Sequence, residues 1–229
     1  MQQFATPATF TASSTLSAVL GIPAGHIRVI AADRADATVE VLPANPARSR
    51  DVKAAEGTRI GFADGVLTVT GPDGGNQLFG PSGSVELTVQ LPAGSRVEVE
   101  GAATAFRGVG RLGDVAVTAA QGPVKVDEAA GLRVTLQDGD VTVGRLTGPA
   151  RISTMRGDIR IAEAERGTVD VTTRKGDITL GTAPGVSATL DASTSCGRVD
   201  NGLRNGEGAA APLTFRATTA YGDVTARSL

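Results

Sequence analysis

A glycine beat, recurring every eight to ten residues and each time followed by apolar–polar alternation, constrains this chain more than any other feature. From Gly113 onward it runs through Gly122, Gly131, Gly139, Gly148, Gly157, Gly167, Gly176 and Gly185. After these glycines come "DVAVT", "PVKVD", "DVTVG", "DIRIA", "TVDVT" and "DITLG". In those runs Val115 and Val117, Val124 and Val126, Val141 and Val143, Ile159 and Ile161, and Ile178 and Leu180 share one face. Lys125, Thr142, Arg160, Asp170 and Thr179 point the other way. Alternation of period two over so many segments specifies β-strands. No stretch has the pattern of an amphipathic helix, so the fold class is all-β.

Two architectures use such a pattern. An antiparallel β-sandwich or meander places turns every 8–12 residues. A parallel β-solenoid repeats the same corner chemistry once per coil, so that like positions stack on neighbouring rungs. Gly-Asp recurs at Gly139, Gly157 and Gly176, with Gly-Pro at Gly148 and Gly-Thr at Gly167 between them. That alternation of turn types favours a coil of two main strands, hence the solenoid, with the antiparallel arrangement as the alternative. The step from Gly113 to Gly139 is out of phase with the rest.

The turns themselves are assigned to Gly113–Asp114, Gly139–Asp140, Gly157–Asp158, Gly176–Asp177 and Gly222–Asp223. Glycine takes positive φ at a tight corner, and the following aspartate hydrogen-bonds turn amides. Arg156-Gly157-Asp158 reads the same way: an arginine that precedes a repeated turn, with Lys175 and Tyr221 at the matching positions, and not an integrin ligand. If those aspartates stack, calcium is a conceivable occupant, but the paired glycines of nonapeptide calcium rolls are missing and turn amides satisfy the carboxylates equally well. The recurrent Thr residues of "TVDVTTRKGDITL" and "ATTAYGDVTA" read as outward strand positions with good β-propensity.

Residues 1–100 are β-rich without the beat. Their strand candidates are "HIRVIA", "ATVEVLP", "GVLTVT", "VELTVQLP" and "SRVEVE", with a flexible loop over Gly71–Ser84. The chain is therefore expected to form one β-repeat domain over 1–229, irregular over 1–100 and regular over 101–229. Near Gly101–Gly110 the pattern changes but no linker intervenes. The closing "ARSL" lies so close to the last repeat that the rung around Val224 is expected to be an open edge.

Composition narrows function more than it defines it. The net charge is −2 with both signs interspersed, and aromatic residues make up only 3%. Neither a basic surface for nucleic acid nor stacking platforms for single strands or sugars are present. The single cysteine, Cys196, allows no internal disulfide and is expected to be a small core or turn residue in a reducing compartment. The start "MQQFATPATFTASSTLSAVLGIPAG" has no basic region and no long apolar run. It reads as neither signal peptide nor membrane span, so a cytoplasmic location without direct membrane insertion is expected.

Catalytic groupings are scarce. His26 is the sole histidine, and no phosphate loop, dinucleotide fingerprint or Cys/His metal spacing occurs. A polysaccharide-active solenoid would have to draw on Asp140, Asp158, Asp177 and Arg160, residues the turns already claim. No catalytic residue, metal site or cofactor is assigned.

The segments "MQQFATP", "IPAGHIRVIAADRADATVEVLP", "VQLPAGSRVEVE", "DGDVTVGRL", "GDIRIAEAERGTVDVTTRKGDITLG" and "ATTAYGDVTARSL" resemble the actinobacterial β-strand-repeat proteins known as putative adhesins, a family of unknown function with toastrack-like members. The resemblance runs over essentially the whole chain and implies a right-handed β-solenoid or toastrack-like stack. It carries no catalytic residues.

Together these readings lead to a non-catalytic interaction protein whose rigid face binds another protein, with Arg145, Arg160, Asp170 and Lys175 as the exposed face residues. The alternatives are a self-assembling cytoplasmic scaffold built by stacking of terminal rungs and, third, a polysaccharide-binding or polysaccharide-active β-helix.

Overall fold

The computed structural model describes residues 8–11, 16–72 and 83–229. Most of the loop expected over Gly71–Ser84 lies outside the described residues. The chain divides into two compact units, Met1–Gly122 and Pro123–Leu229. The division falls later than the change of sequence pattern near Gly101–Gly110.

In the first unit the strands are β1 (Ala8–Thr11), β2 (Ser17–Gly21), β3 (Ala24–Ala32), β4 (Asp36–Pro43), β5 (Arg59–Ala63), β6 (Val66–Thr70), β7 (Val85–Pro92) and β8 (Arg96–Gln121). Parallel pairing joins β2 to β6 and β8, and β3 to β7 and β8. Antiparallel pairing adds β1–β4, β4–β7 and β5–β6. All five strand candidates of this region coincide with strands, apart from their first residues Gly65 and Ser95 in two of them. The core is made of alternate positions such as Ala18, Leu20, Ile27, Val29, Leu67, Val69, Leu87 and Val89.

One element departs from the sequence reading: α1 (Ser49–Glu56) is a helix. It has only two turns, too short to show a helical apolar stripe. Its hold on the fold is polar as well as apolar, because the buried Asp51 carboxylate accepts the Ser84 N–H at 3.0 Å while Ala54 packs beside it.

The second unit is a two-sheet solenoid in which every pairing among its described strands is parallel. Its strands are β9 (Val124–Asp138), β10 (Val141–Leu146), β11 (Ala150–Arg156), β12 (Ile159–Ala164), β13 (Gly167–Lys175), β14 (Ile178–Thr182), β15 (Ala188–Cys196), β16 (Val199–Gly202), β17 (Leu213–Tyr221) and β18 (Val224–Ser228). One sheet stacks the second half of β9, then β11, β13, β17 and β15. The other stacks the first half of β9, then β10, β12, β14, β18 and β16. The antiparallel alternative is thereby excluded for the regular half.

Inward positions seal this solenoid with small and β-branched side chains. Val141, Val143, Ile159, Ile161, Val169, Val171, Ile178 and Leu180 are completely buried. Each such residue contributes about 1.5–3 kcal/mol of burial. The register keeps like residues stacked: Val141 beside Ile159, Ile159 beside Ile178, and Ile178 beside Val224.

The order of rungs in space is not the order in sequence. The C-terminal rung, β17–β18, sits between β13–β14 and β15–β16. Val224 is thus wholly buried; the edge expected there belongs to β15–β16 instead.

Two glycine assignments also separate. Gly113 and Asp114 lie inside β8, and Gly113 has no positive φ, so that pair is not a corner. The corner preceding Gly139 is Gly122, which accounts for the phase slip between Gly113 and Gly139. Gly157, by contrast, has φ +137°, and a Cβ there would sit 2.1 Å from the carbonyl oxygen of Gly139 on the neighbouring rung. Both backbone conformation and space demand glycine. Gly157→Val should therefore cost roughly 2–5 kcal/mol, while Arg160→Ala, on an exposed position, should stay within about 0.5 kcal/mol. Urea unfolding of both variants checks this, and equal midpoints would refute the corner assignment.

Candidate functional site

The corners that carry the chain from one sheet to the other are built alike on successive rungs. Gly139, Gly157, Gly176, Gly222 and Gly197 stack in that spatial order. The Asp140 carboxylate accepts the backbone N–H of Asp158 at 2.9 Å, Asp158 accepts that of Asp177 at 2.8 Å, and Asp177 accepts that of Asp223 at 2.8 Å. Asp223 accepts the N–H of Arg198 at 2.8 Å. Each carboxylate thus satisfies an amide that the sheets leave unpaired at the bend. Arg198 holds the aspartate position on the outermost rung and ends the ladder.

A second column supports the glycines from inside. Thr173, Thr219 and Thr194 donate their hydroxyls to the carbonyls of Gly157, Gly176 and Gly222 at 3.1, 3.0 and 2.9 Å. Thr173 and Thr219 are buried, which corrects the reading of these Thr residues as uniformly outward. Their neighbours Thr172 and Thr218 are the exposed ones. The repeated signal is Thr three residues before the corner glycine, visible in "TMRGD", "TRKGD", "TAYGD" and "TSCGR".

Because threonine turns inward and glycine follows three residues later, the two residues between them both face solvent. On three adjacent rungs these pairs are Met155–Arg156, Arg174–Lys175 and Ala220–Tyr221, with Arg156 registered against Lys175 and Lys175 against Tyr221. With Gln137, the side chains of Met155, Arg156, Arg174, Lys175 and Tyr221 line a groove of about 750 Å³. Met155 is 47% exposed and Tyr221 58%. Arg156 is paired with Asp138 at 2.8 Å; among the described residues Arg174 and Lys175 have no ion-pair partner.

The sequence-assigned face residues do not converge. Arg145 and Arg160 stand on β10 and β12 of one sheet, Asp170 and Lys175 on β13 of the other. Arg145 is engaged by Glu165, whose hydrogen bond raises the guanidinium above its ordinary pKa. Only Lys175 lines the groove. Tyr221 was missed because strict alternation places it inward, whereas Met155 and Arg174 keep the outward phase and nothing along the chain sets them apart from other exposed residues. The integrin-like tripeptide is absorbed by the corner: Arg156 pairs with Asp138, and Asp158 belongs to the amide ladder.

Three other residues complete the picture. Asp114 stands on β8, outside the ladder of Asp140, Asp158, Asp177 and Asp223, and no cluster of three metal-ligating side chains occurs among the described residues. His26 is exposed on β3, registered against Glu86 and Ala105. Cys196 is exposed at the end of β15 and not part of the core.

Stacked parallel rungs with repeated corners define the molecule as a β-solenoid-like repeat protein. The model of the Toastrack DUF4097 family matches residues 23–228, and the chain belongs to that family. No curated protein matches it in sequence. Among solved structures, a putative adhesin from Parabacteroides distasonis is similar at 12% identity and TM-score 0.50, with 96% of each chain covered. A putative adhesin from Bacteroides fragilis has 10% identity and TM-score 0.46, again with 96% of each chain covered. A putative lipid binding protein from Parabacteroides distasonis has 10% identity and TM-score 0.39 over 96% of each chain. At 12% identity and TM-score 0.50, the first of these likenesses speaks for the fold alone.

The inward threonine column gives a stability prediction. Thr173→Val preserves shape but removes the donor to Gly157, so it should lose about 1–2 kcal/mol. Thr172→Val, one residue away on the exposed face, should change stability by less than about 0.5 kcal/mol. Chemical denaturation of the two variants in parallel would expose an error if their order were reversed.

Proposed function

We propose that this chain is a non-catalytic interaction module that holds a segment of a partner protein in the groove between Met155 and Tyr221. The observation that carries this reading is the juxtaposition, on three locked rungs, of two exposed large apolar side chains with two cations lacking ion-pair partners among the described residues. Adjacent strands of a sheet lie about 4.8 Å apart. Met155 and Tyr221 are thus spaced to grip apolar side chains at two points of an extended segment, and Arg174 and Lys175 lie on the rung between.

The chemistry selects the segment. Arg174 and Lys175 gain most from carboxylates, through charge-assisted hydrogen bonds, so the partner segment is acidic with at least one aliphatic or aromatic anchor. Tyrosine and arginine are also the side chains most often found at energetic centres of interfaces. The corner ladders hold the backbone beneath these side chains, which limits the ordering cost of binding. The name of the similar structure from Parabacteroides distasonis, a putative adhesin, agrees with an interaction role.

Fluorescence anisotropy with acidic, neutral and basic peptides, each containing Leu or Phe anchors, tests the proposal. The expected result is saturable binding of the acidic set, weakened as salt rises and reduced at least about tenfold, or 1.4 kcal/mol, by Arg174→Glu with Lys175→Glu. Arg133→Glu, on the same sheet but outside the groove, should leave affinity unchanged. Equal binding by the double variant, or a preference for basic peptides, would overturn it.

A further inference from the structure

We propose that two copies of this chain join through their outermost rungs, β15 against β15, in an antiparallel, two-fold closed dimer. This inference is independent of the groove, and it starts from the displaced order of rungs. Among the described strands, β15 pairs only with β17 and β16 only with β18. The opposite edge of this rung therefore presents backbone donors and acceptors without strand partners.

Natural sheets blunt such edges with lysine, proline, bulges or inward charges. Between Ala188 and Gly202 there is neither lysine nor proline, and of the three charged residues there, Asp191, Arg198 and Asp200, only Asp191 lies within β15. The inward positions of the rung, Ala188, Leu190, Ala192, Thr194, Val199 and Asn201, carry no charge. The apolar core is also open here. Leu190 is registered against the fully buried Phe215 yet is itself only half-buried, and Val199, registered against the fully buried Val224, is 44% exposed. Among the described residues no strand covers this end of the core.

The corner chemistry decides what kind of copy fits. A further parallel rung would need a carboxylate at the outer corner to take its amide, as Asp140, Asp158, Asp177 and Asp223 do for the rungs inside. Arg198 stands there instead, itself consuming the last acceptor. Continued parallel stacking into an open-ended fibre is thus disfavoured, whereas antiparallel pairing places the second copy's corners at the far end of the strand.

The strand is self-complementary in that direction. With the two-fold axis at Ala192, Asp191 faces Ser193 of the other copy and Thr189 faces Ser195. No like charges oppose one another, and hydroxyl pairs of this sort stabilise antiparallel neighbours. The inward face brings Ala192 against Ala192 and Leu190 against Thr194, extending the core across the joint. One patch contacting its own copy is the isologous geometry that closes at two subunits.

Sedimentation velocity of the full chain from about 1 to 200 µM, together with cross-linking, tests the dimer. A mass reaching that of two chains and going no further is expected. Ala192→Cys in a Cys196→Ser background should cross-link rapidly with a short bis-maleimide, because residue 192 meets its own copy. The native Cys196 should not, since its counterpart lies at the opposite end of the paired strands. Ala192→Lys should raise the dissociation constant at least tenfold with an unchanged far-ultraviolet spectrum; if that variant fails to fold, the cysteine readout still decides. A monomer throughout, mass growing without limit, or a dimer that cross-links through Cys196 but not through position 192 would each overturn the proposal.

Discussion

A β-solenoid depends on what happens to the backbone where it leaves one sheet for the other. Within the sheets each strand finds its hydrogen bonds in the neighbouring rung. At the bend the ladder is interrupted, and an amide left buried or half-buried without a partner costs more than a formed bond returns. Here the aspartate after each corner glycine solves that problem for the rung beyond it: Asp140 for Asp158, Asp158 for Asp177, Asp177 for Asp223 and Asp223 for Arg198. Threonine hydroxyls take the glycine carbonyls from the core side. Each rung is built to receive the next, so register is fixed at the corner as well as by the alternating core. A one-residue slip would expose the valines and isoleucines and also misalign every carboxylate and hydroxyl.

The same device positions the groove. Threonine must face inward to reach the glycine carbonyl, and glycine must follow three residues later to make the bend. The first of the two residues between keeps the outward phase of the alternation, the second is released from it, and both lie at the surface. Their identities cost the fold little, which leaves Met155, Arg174, Lys175 and Tyr221 available for recognition on a backbone whose geometry is already determined. A rigid platform with variable side chains beside each corner is a general advantage of stacked repeats.

Much of this was legible in the sequence, and the reasons for the misses are specific. Val141, Ile159 and Ile178 announce their rungs because burial and period-two alternation coincide in them. Gly157 and Asp158 announce a corner because no other residue pair combines positive φ with a short acceptor so economically. Gly113–Asp114 has the same letters, but the Gly113 N–H is taken by the Ser95 carbonyl and β8 runs straight on; a dipeptide does not record what lies beside it. Thr173 was read as a surface residue because its inward role depends on a carbonyl one rung away. Helix α1 is anchored by Asp51 to Ser84, thirty-three residues distant, and its own two turns carry too little periodicity to be seen. The groove escaped because Arg145, Arg160, Asp170 and Lys175 look equivalent along the chain, while the fold puts two on each sheet.

The most consequential feature hidden from the sequence is the exchange of rung order at the C-terminus. Sequence repeats suggest that the last strands form the last rung, and Gly222–Asp223 fits that series. Yet the same fit is what allows β17–β18 to enter between β13–β14 and β15–β16, since Asp177 can receive the amide of Asp223 as readily as it could that of Arg198. The better match wins: Asp223 continues the ladder with a carboxylate of its own, whereas Arg198 terminates it. Leu213, Phe215 and Val224 also supply a fuller core layer than Ala188, Leu190 and Val199, so the stronger apolar rung gains two covered sides by moving inward. The weaker rung, with its smaller side chains and its arginine, is left outside. Terminal placement thus follows from corner chemistry and side-chain size together, and chain order yields to both.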